Sequence, residues 1–356
     1  MADDKAVGFI REHTNYMKVL VTGNEGYIGS VLAPKLAEQG HKVTGLDLGI
    51  FKDVAFVPRP PAPLTQIYKD IRDITHADLS GFDAIIHLAG LSNDPLGALN
   101  PEVTFDINHR ATVELAKNAK KAGVPRFLFS SSCSMYGVAN KDLVDEAASF
   151  DPQSAYAKAK VLAERDLLLL ADDSFCPVFL RNSTVFGISP RTRLDLIVQN
   201  LAAYGYLNKV ITILSDGTPW RPQVHVQDVA EAFAFFLTLP PEAVSGQAYN
   251  IGRNENNLQI KDIAGMVQAA LPGTSIEIKN QNPADNRSYK VDFSKLASIG
   301  CAPRWSVSDG IAEVLAVFKK NGFSNDDFIS DRYITIKRYQ NLMASGTLDS
   351  DLRIVA

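Results

Sequence analysis

Short apolar runs alternate with helical patterns through the first half of the chain. The apolar run at 18–22 precedes a helical pattern over 26–39, which Gly40 ends, and a second apolar run covers 42–47. The same alternation continues with strands at 66–70, 84–89, 126–132 and 177–182 and helices at 101–122 and 154–171. Such alternation predicts an α/β fold, a doubly wound parallel sheet covered by helices on both faces.

After residue 181 the pattern loosens into short mixed elements, which suits a smaller C-terminal lobe. The run "AYNIG" (248–252) is predicted to rejoin the main sheet, and 324–345 to form a helix over the lobe. The predicted organisation is therefore a disordered extension at 1–16, a doubly wound domain at 17–181 to which 225–252 returns, a substrate-binding lobe at 182–224 and 253–323, and a C-terminal helical extension at 324–356.

Composition narrows the classes of function. Apolar residues make up 46% of 356, ample for a core, and a net charge of −4 without a basic patch argues against a nucleic-acid partner. Cys133, Cys176 and Cys301 lack metal-ligand spacing, which predicts free thiols, a reducing compartment and no metal site. Neither a signal peptide nor a run of about 18 apolar residues is present in the sequence. We therefore expect a soluble, cytoplasmic protein with no membrane partner.

Three glycines at intervals of three, Gly23, Gly26 and Gly29, join the first strand to the first helix in "TGNEGYIG". So tight a turn needs a positive φ or the absence of a Cβ, and glycine supplies both. The helix N terminus then presents unpaired N–H groups and a positive dipole end, where a dinucleotide pyrophosphate would fit. Asp47 ends the second strand about 20 residues on, as an acceptor for a ribose diol should. A carboxylate there would repel the 2′-phosphate of NADP, so the sequence predicts NAD.

The glycine turn, preceded by Thr22, resembles the extended short-chain dehydrogenase/reductase family, and within it NAD-dependent nucleotide-sugar epimerases and dehydratases like UDP-glucose 4-epimerase. "DIRD" (70–73) resembles the family's adenine-contacting segment, "HLAG" (87–90) its turn along the cofactor, and "NHRAT" (108–112) its Asn-x-x-Gly-Thr, with Ala111 replacing glycine. The resemblance covers about 17–310 and implies a Rossmann domain with NAD held by Gly23, Glu25, Gly26, Tyr27, Ile28, Gly29, Asp47, Asp70, Ile71, Leu88, Ala89, Gly90, Asn108, Ser130, Tyr156 and Lys160.

Candidate catalytic residues follow in "SSSCSMYG" (130–137) and "SAYAKAK" (154–160). Tyr156 and Lys160 are four residues apart on a predicted helix and therefore share a face, whereas Lys158 points to solvent. Tyrosine ionises near pH 10, and a nearby ammonium can lower its pKa towards the working range. With Ser132 at a strand end, the set resembles the family triad. The resemblance implies that Tyr156 takes a proton from a sugar hydroxyl that Ser132 polarises, and that Lys160 holds the nicotinamide ribose.

The residues at 133 and 134 discriminate between reactions within the family. The resembling 4,6-dehydratases carry Asp and Glu there, and decarboxylases a Glu at the second position, whereas this chain has Cys133 and Ser134. Cys133 is interpreted as a packing thiol rather than an acid. A simple 4-epimerase is the leading interpretation, with a 4-keto-sugar reductase, another dehydratase or decarboxylase, and a dinucleotide-sensing binding protein as alternatives.

The second lobe is expected to bind the rest of a nucleotide-diphosphate sugar. "SDGTPWRPQ" (215–223) resembles the family's Gly-x-x-x-Arg segment, which implies that Arg221 grips the diphosphate. Arg191, Arg193 and Arg287 are further candidates for binding the substrate. For Arg191 and Arg193, a solvated charge at the protein surface is an equally good interpretation. The helices at 101–122 and 154–171 resemble the family's dimer interface and predict a homodimer. The predicted substrate set is Ser92, Cys133, Ser134, Asn182, Thr184, Arg191, Arg221 and Arg287.

Overall fold

The computed structural model describes residues 16–62, 64–92, 94–138, 142–280 and 287–355. The predicted disordered extension at 1–16 lies outside these residues except for Tyr16. The described strands are β1 (Lys18–Thr22), β2 (Lys42–Asp47), β3 (Thr65–Tyr68), β4 (Ala84–His87), β5 (Arg126–Ser132), β6 (Cys176–Asn182), β7 (Thr184–Phe186), β8 (Val210–Ile213), β9 (Trp220–His225), β10 (Ala248–Ile251), β11 (Asn257–Gln259) and β12 (Ser275–Ile278).

Seven parallel strands form the main sheet in the order β3-β2-β1-β4-β5-β6-β10. The central strands are buried on both faces, which explains their unbroken apolar runs. The chain leaves β1 in one direction to β3 and then crosses to β4, so the strand order reverses between β1 and β4. Ligands of such folds bind at the carboxyl ends of the strands beside this reversal. The predicted doubly wound α/β fold is confirmed.

Helices cover both faces of this sheet. In the whole of the described chain, the α-helices are α1 (Gly29–Glu38), α2 (Asp94–Leu99), α3 (Pro101–Phe105), α4 (Thr112–Lys121), α5 (Ala155–Leu168), α6 (Ile197–Asn208), α7 (Val226–Thr238), α8 (Pro241–Val244), α9 (Ile260–Ala270), α10 (Ser294–Ser298), α11 (Val307–Asn321), α12 (Asn325–Ile329) and α13 (Thr335–Ala344). The sequence predicts a helix from residue 26, but α1 begins at Gly29 because the glycine turn extends to Ile28. A π-helical turn at Asp106–Ala111 joins α3 to α4 within the predicted 101–122 helix.

Two apolar layers enclose the sheet. Leu32 of α1 and Phe233 of α7 pack on one face, and Leu115 of α4 and Leu167 of α5 pack on the other. The helices around α4 and α5 lie side by side, since His109 Nε2 and Asp166 Oδ2 are 2.7 Å apart. A homodimer built on these helices stays a prediction. None of the helices within the described residues has the length and hydropathy of a membrane span.

The smaller lobe contains the sheet β11-β9-β7 and the pair β12-β8, packed with α6, α9 and α11. The prediction of one helix at 324–345 over this lobe is wrong. The segment forms α12 and α13, and it reaches past the lobe to the main domain, where Arg338 Nε donates to the Ile50 carbonyl at 3.1 Å; beyond it, Arg353 pairs with Asp73 at 2.8 Å. These contacts join positions far apart in sequence, which local periodicity does not encode.

Candidate active site

A cavity of about 490 Å³ lies at the carboxyl edge of the main sheet, against the smaller lobe. It brings together most of the residues that the sequence singles out: Gly23, Gly26, Tyr27, Ile28, Gly29, Asp47, Asp70, Ile71, Leu88, Ala89, Gly90, Ser92, Ser130, Ser132, Ser134, Tyr156, Lys160, Asn182, Thr184, Arg191, Arg221 and Arg287. Three predicted residues, Glu25, Asn108 and Cys133, do not line it. The cavity has an end near Asp47 and Asp70, called here the adenosine end, and an end near Tyr156, called the catalytic end.

The glycine turn forms one wall of the cavity. Gly23 has a φ of 73°, and a Cβ on it would lie 2.7 Å from the Ala89 backbone nitrogen, so only glycine fits. A Cβ on Gly29 would collide with the Gly23 carbonyl and the Asn24 backbone. The turn therefore brings the N terminus of α1 to the cavity, and its geometry suits a dinucleotide diphosphate.

Asp47 lines the adenosine end, where its carboxylate accepts from the backbone N–H groups of Gly49 at 2.9 Å and Glu25 at 3.1 Å. Burial raises the pKa of Asp47, and the guanidinium of Arg59 partly offsets that effect. Glu25 turns away from the cavity and accepts from the Tyr68 hydroxyl at 3.0 Å. The side chain therefore supports the turn, and its contact with the cofactor stays a prediction.

Asn108 acts on the cavity through the turn after β4. Its side-chain amide accepts from the Leu91 N–H at 2.7 Å and donates to the Leu91 carbonyl at 2.9 Å. It is therefore a positioning residue, and its predicted direct contact with the cofactor is not what the structure shows. His87 lies beneath the same turn, between the hydroxyls of Thr22 at 2.7 Å and Thr112 at 2.9 Å. Burial lowers the pKa of His87 to about 3.

Ser132, Tyr156 and Lys160 meet at the catalytic end. Ser132 ends β5, and Ser154 caps α5 by accepting from the Ala157 N–H at 3.1 Å, which places Tyr156 and Lys160 on the first turns of that helix. Lys160 Nζ donates to the Ser130 carbonyl at 2.7 Å and lies 5.9 Å from the centre of the Tyr156 ring. The Ser132 hydroxyl donates to that of Ser134 at 2.9 Å, and Ser132 also lies close enough to Tyr156 to lower the pKa of the tyrosine. The arrangement can relay a proton between a bound hydroxyl and the tyrosine.

The electrostatics of this set differ from the sequence-based expectation. Burial raises the pKa of Tyr156 to about 12, although the nearby Ser132 side chain opposes the rise. Burial also lowers the pKa of Lys160 to about 7. The sequence predicts that Lys160 lowers the pKa of Tyr156, but desolvation of the two side chains outweighs this effect. The Lys160 ammonium is directed at the Ser130 carbonyl. Further positive charge at the site would be needed to favour the phenolate.

Cys133 does not line the cavity, so the structure does not bring it together with the other residues predicted to bind the substrate. The thiol is fully buried and contacts the Arg181 carbonyl at 3.1 Å. Burial raises its pKa, which agrees with the interpretation as a packing thiol. Ser134, at the next position, does line the cavity and bonds to Ser132, with the two hydroxyl oxygens 2.9 Å apart.

Arginines line the cavity towards the smaller lobe. Arg221 donates to the carbonyls of Trp220 and Arg287, and Arg287 pairs with Asp94. Asp94 also accepts from Ser154, and no motif in the sequence had marked it. The proximity of Arg221 and Arg287 provides two cations that suit a diphosphate.

Arg193 and Arg191 are buried, which rules out a solvated surface charge for either. Arg193 makes two hydrogen bonds to Asp195, of 3.0 and 2.7 Å, and approaches the Ser92 hydroxyl at 3.2 Å. Arg191 is 2% exposed and lies with its guanidinium carbon 3.8 Å from the centre of the Phe51 ring.

Asn182 and Thr184 line the cavity beside Ser130. The Asn182 amide donates to the Ser130 hydroxyl at 3.0 Å. Its carbonyl oxygen is buried and has no hydrogen-bond partner among the described residues. That orphaned acceptor is available to a ligand hydroxyl or amide.

Comparisons with known proteins agree with this geometry. Residues 19–252 match the model of the NAD dependent epimerase/dehydratase family. A UDP-glucose 4-epimerase of Bacillus subtilis (strain 168) is 25% identical over 331 residues, covering 84% of this chain and 95% of that protein. A dTDP-D-glucose 4,6-dehydratase of Mus musculus is 25% identical over 322 residues, covering 85% and 89%.

Solved structures show the same likeness. A UDP-glucuronic acid 4-epimerase from Bacillus cereus, in complex with UDP-glucuronic acid and NAD, is 25% identical to this chain with a TM-score of 0.74, over 86% of this chain and all of that one. The glycine turn, Asp47 and the N terminus of α1 fit that cofactor, which is NAD here as in the family. The chain belongs to the NAD dependent epimerase/dehydratase family, whose members are nucleotide-sugar enzymes.

Proposed function

We propose that this protein is an NAD-dependent nucleotide-sugar 4-epimerase. The observation that carries the proposal is a complete Ser132, Tyr156 and Lys160 set without an available carboxylic acid beside it among the described residues. The relatives of similar identity include both 4-epimerases and a 4,6-dehydratase, so their names do not separate the two reactions.

Dehydration of a 4-keto sugar requires a proton donor and a base next to the ketone. Among the described residues, four carboxylates line the cavity, and two of them, Asp47 and Asp70, lie at the adenosine end. At the other end, Asp94 is paired with Arg287 and Asp195 with Arg193. Burial would raise the pKa of Asp195, but Arg193 outweighs burial and holds it below its usual value. Carboxylates paired in this way are poor acids, which disfavours water loss.

Epimerisation needs only groups that this end of the cavity contains. Tyr156, once ionised, accepts the proton of the sugar hydroxyl, and Ser132 donates a hydrogen bond to the same oxygen. When bound, NAD would supply the hydride acceptor for that carbon, and return of the hydride to the opposite face would give the epimer. Lys160 orients the cofactor ribose and provides positive charge near the tyrosine. Arg221 and Arg287 hold the substrate diphosphate while the sugar turns.

The proposal is tested by incubating purified protein with a panel of UDP-, dTDP- and GDP-hexoses and separating the products by chromatography with mass detection. A product of unchanged mass that co-elutes with the C4 epimer supports it. A product lighter by one water identifies a dehydratase, and consumption of added NADH with a 4-keto sugar identifies a reductase. Either of these results, or no turnover of any nucleotide sugar, contradicts the proposal.

A further inference from the structure

The adenosine end of the cavity is partly built from the C-terminal segment (residues 325–355), beyond the residues that match the family. Thr335, Ile336 and Tyr339 of α13 line the cavity, and so does Leu352 near the chain end. The family match ends at residue 252. These four side chains therefore add a wall that the family resemblance did not imply.

Two clusters of polar contacts hold the end of the segment against the turn after β3. Arg72 grips both oxygens of Asp70 and donates to the carbonyl of Asp351 at 2.7 Å and to that of Leu352 at 3.4 Å. Arg353 pairs with Asp73 at 2.8 Å. Leu352 is buried between these contacts. The turn that resembles the adenine-contacting segment is thus covered by the end of the chain.

The helix α13 covers the loop after β2 in the same way. Arg338 donates to the Ile50 carbonyl at 3.1 Å and pairs with Asp53 at 2.7 Å. The Tyr339 ring meets Phe51 edge-on, with centroids 6.3 Å apart. Asp47 lies just before this loop, so the segment and the predicted ribose-binding carboxylate line the same cavity.

Arg191 connects the segment to the middle of the cavity. Its guanidinium stacks on Phe51, donates to the Thr335 hydroxyl at 3.0 Å and to the Thr192 carbonyl at 3.2 Å, and forms no ion pair among the described residues. Its Nε is buried without a hydrogen-bond partner there. A buried cation without a paired anion is costly, so the site favours an anionic ligand. The glycine turn in the same cavity is suited to a dinucleotide diphosphate.

We propose that the C-terminal segment is part of the dinucleotide site: it encloses the adenosine half of NAD and, through Thr335, holds Arg191 for the cofactor diphosphate. NAD leaves only when the segment detaches. Arg191, which the sequence analysis assigns to the substrate, is thereby assigned to the cofactor. Slow release would suit an enzyme that returns its hydride to the sugar, a consequence that rests on the proposed function. The enclosure itself rests only on NAD binding.

The test measures NAD release directly, without a sugar nucleotide. Full-length protein is loaded with radiolabelled NAD and mixed with excess unlabelled NAD, and the protein-bound label is followed by filtration. Leu352→Ala removes part of the apolar wall of the cavity. Thr335→Val removes the hydroxyl that accepts a hydrogen bond from Arg191 and keeps the shape of the side chain. Gln340→Ala is the matched control, since Gln340 lies on α13, is exposed and does not line the cavity.

We expect Leu352→Ala and Thr335→Val each to release NAD about tenfold faster than the wild type, the effect of losing one good contact. Gln340→Ala should release it at the wild-type rate. Thermal unfolding of the cofactor-free variants shows whether the fold is intact. Wild-type release rates in both cavity variants, or equal acceleration in Gln340→Ala, would overturn the proposal. Retention of NAD by a protein that epimerises nothing would overturn only the proposed function.

Discussion

The two ends of the cavity are built in different ways. The catalytic end takes its triad from β5 and the start of α5, two elements close together in sequence that pack on each other. The adenosine end assembles the glycine turn, the loop after β2, the turn after β3 and the C-terminal segment, and its Arg72 to Asp351 contact joins residues 279 positions apart. We infer that catalysis depends on the local geometry of one strand and one helix. Retention of the cofactor depends instead on contacts between residues that are far apart in sequence. Variants at the two ends should therefore affect different measurements.

The largest effect is expected from Tyr156→Phe at the catalytic end. The substitution removes only the oxygen that we propose as the acceptor of the sugar proton, so turnover should fall roughly 10²–10⁴-fold. The NAD content of the purified protein should equal that of the wild type, because the adenosine end is untouched. Steady-state kinetics and NAD quantification after denaturation provide both values. Wild-type turnover would show that the tyrosine has no role in the reaction.

Lys160→Met should affect both measurements, because Lys160 lies beside Tyr156 and is proposed to orient the cofactor ribose. We expect turnover to fall about 10²-fold and NAD to bind more weakly, since the variant loses a cation and its hydrogen bond to the Ser130 carbonyl. Lys158→Met is the matched control: Lys158 is exposed on the same helix, as the sequence predicts. Isothermal titration with NAD and initial rates test the pair. Equal effects of the two substitutions would contradict a specific role for Lys160.

Acid should destabilise the catalytic end through His87. Its pKa is lowered to about 3 in the fold from an ordinary 6.5, so the unfolded chain binds the extra proton between these values and stability falls as pH drops from 6.5. At pH 5 the loss is about 2 kcal/mol at 1.36 kcal/mol per pH unit. Urea unfolding at pH 7 and pH 5 should show this loss in the wild type and a smaller one in His87→Gln. An identical pH dependence in both would refute the assignment to His87.

Cys133→Ala should have the smallest effect on catalysis. The thiol packs beneath the site and does not line the cavity, so turnover should stay within about twofold of the wild type while stability falls by about 1 kcal/mol. Initial rates and thermal unfolding check the two values. A large loss of turnover with an intact fold would return Cys133 to the substrate site.

The residues of the catalytic end could be predicted from the sequence because the spacings that mark them are short. The spacing of Tyr156 and Lys160 places both on one helix face, and the glycine intervals at Gly23 and Gly29 express a close backbone approach. The strand pattern likewise predicted the doubly wound sheet.

The remaining features depend on tertiary packing. Asp94 matters because it meets Arg287, almost 200 positions away, and Thr335 because it meets Arg191. The pKa of Tyr156 rises with burial, which residue spacing does not report. Cys133 and Ser134 are adjacent in the short helical turn after β5, yet only Ser134 lines the cavity, a difference that the sequence does not report.

In the proposed reaction, one hydride leaves a sugar carbon at the catalytic end and returns to the same carbon. The most direct measurement uses a nucleotide hexose deuterated at C4, taken from the active members of the panel, with holoenzyme and no added cofactor. Proton NMR then reads the label in substrate and product. If the protein is a 4-epimerase, we expect the product to be the C4 epimer, with its deuterium retained at C4 over many turnovers. An epimer whose label is lost to solvent, or a dehydrated product, would contradict it.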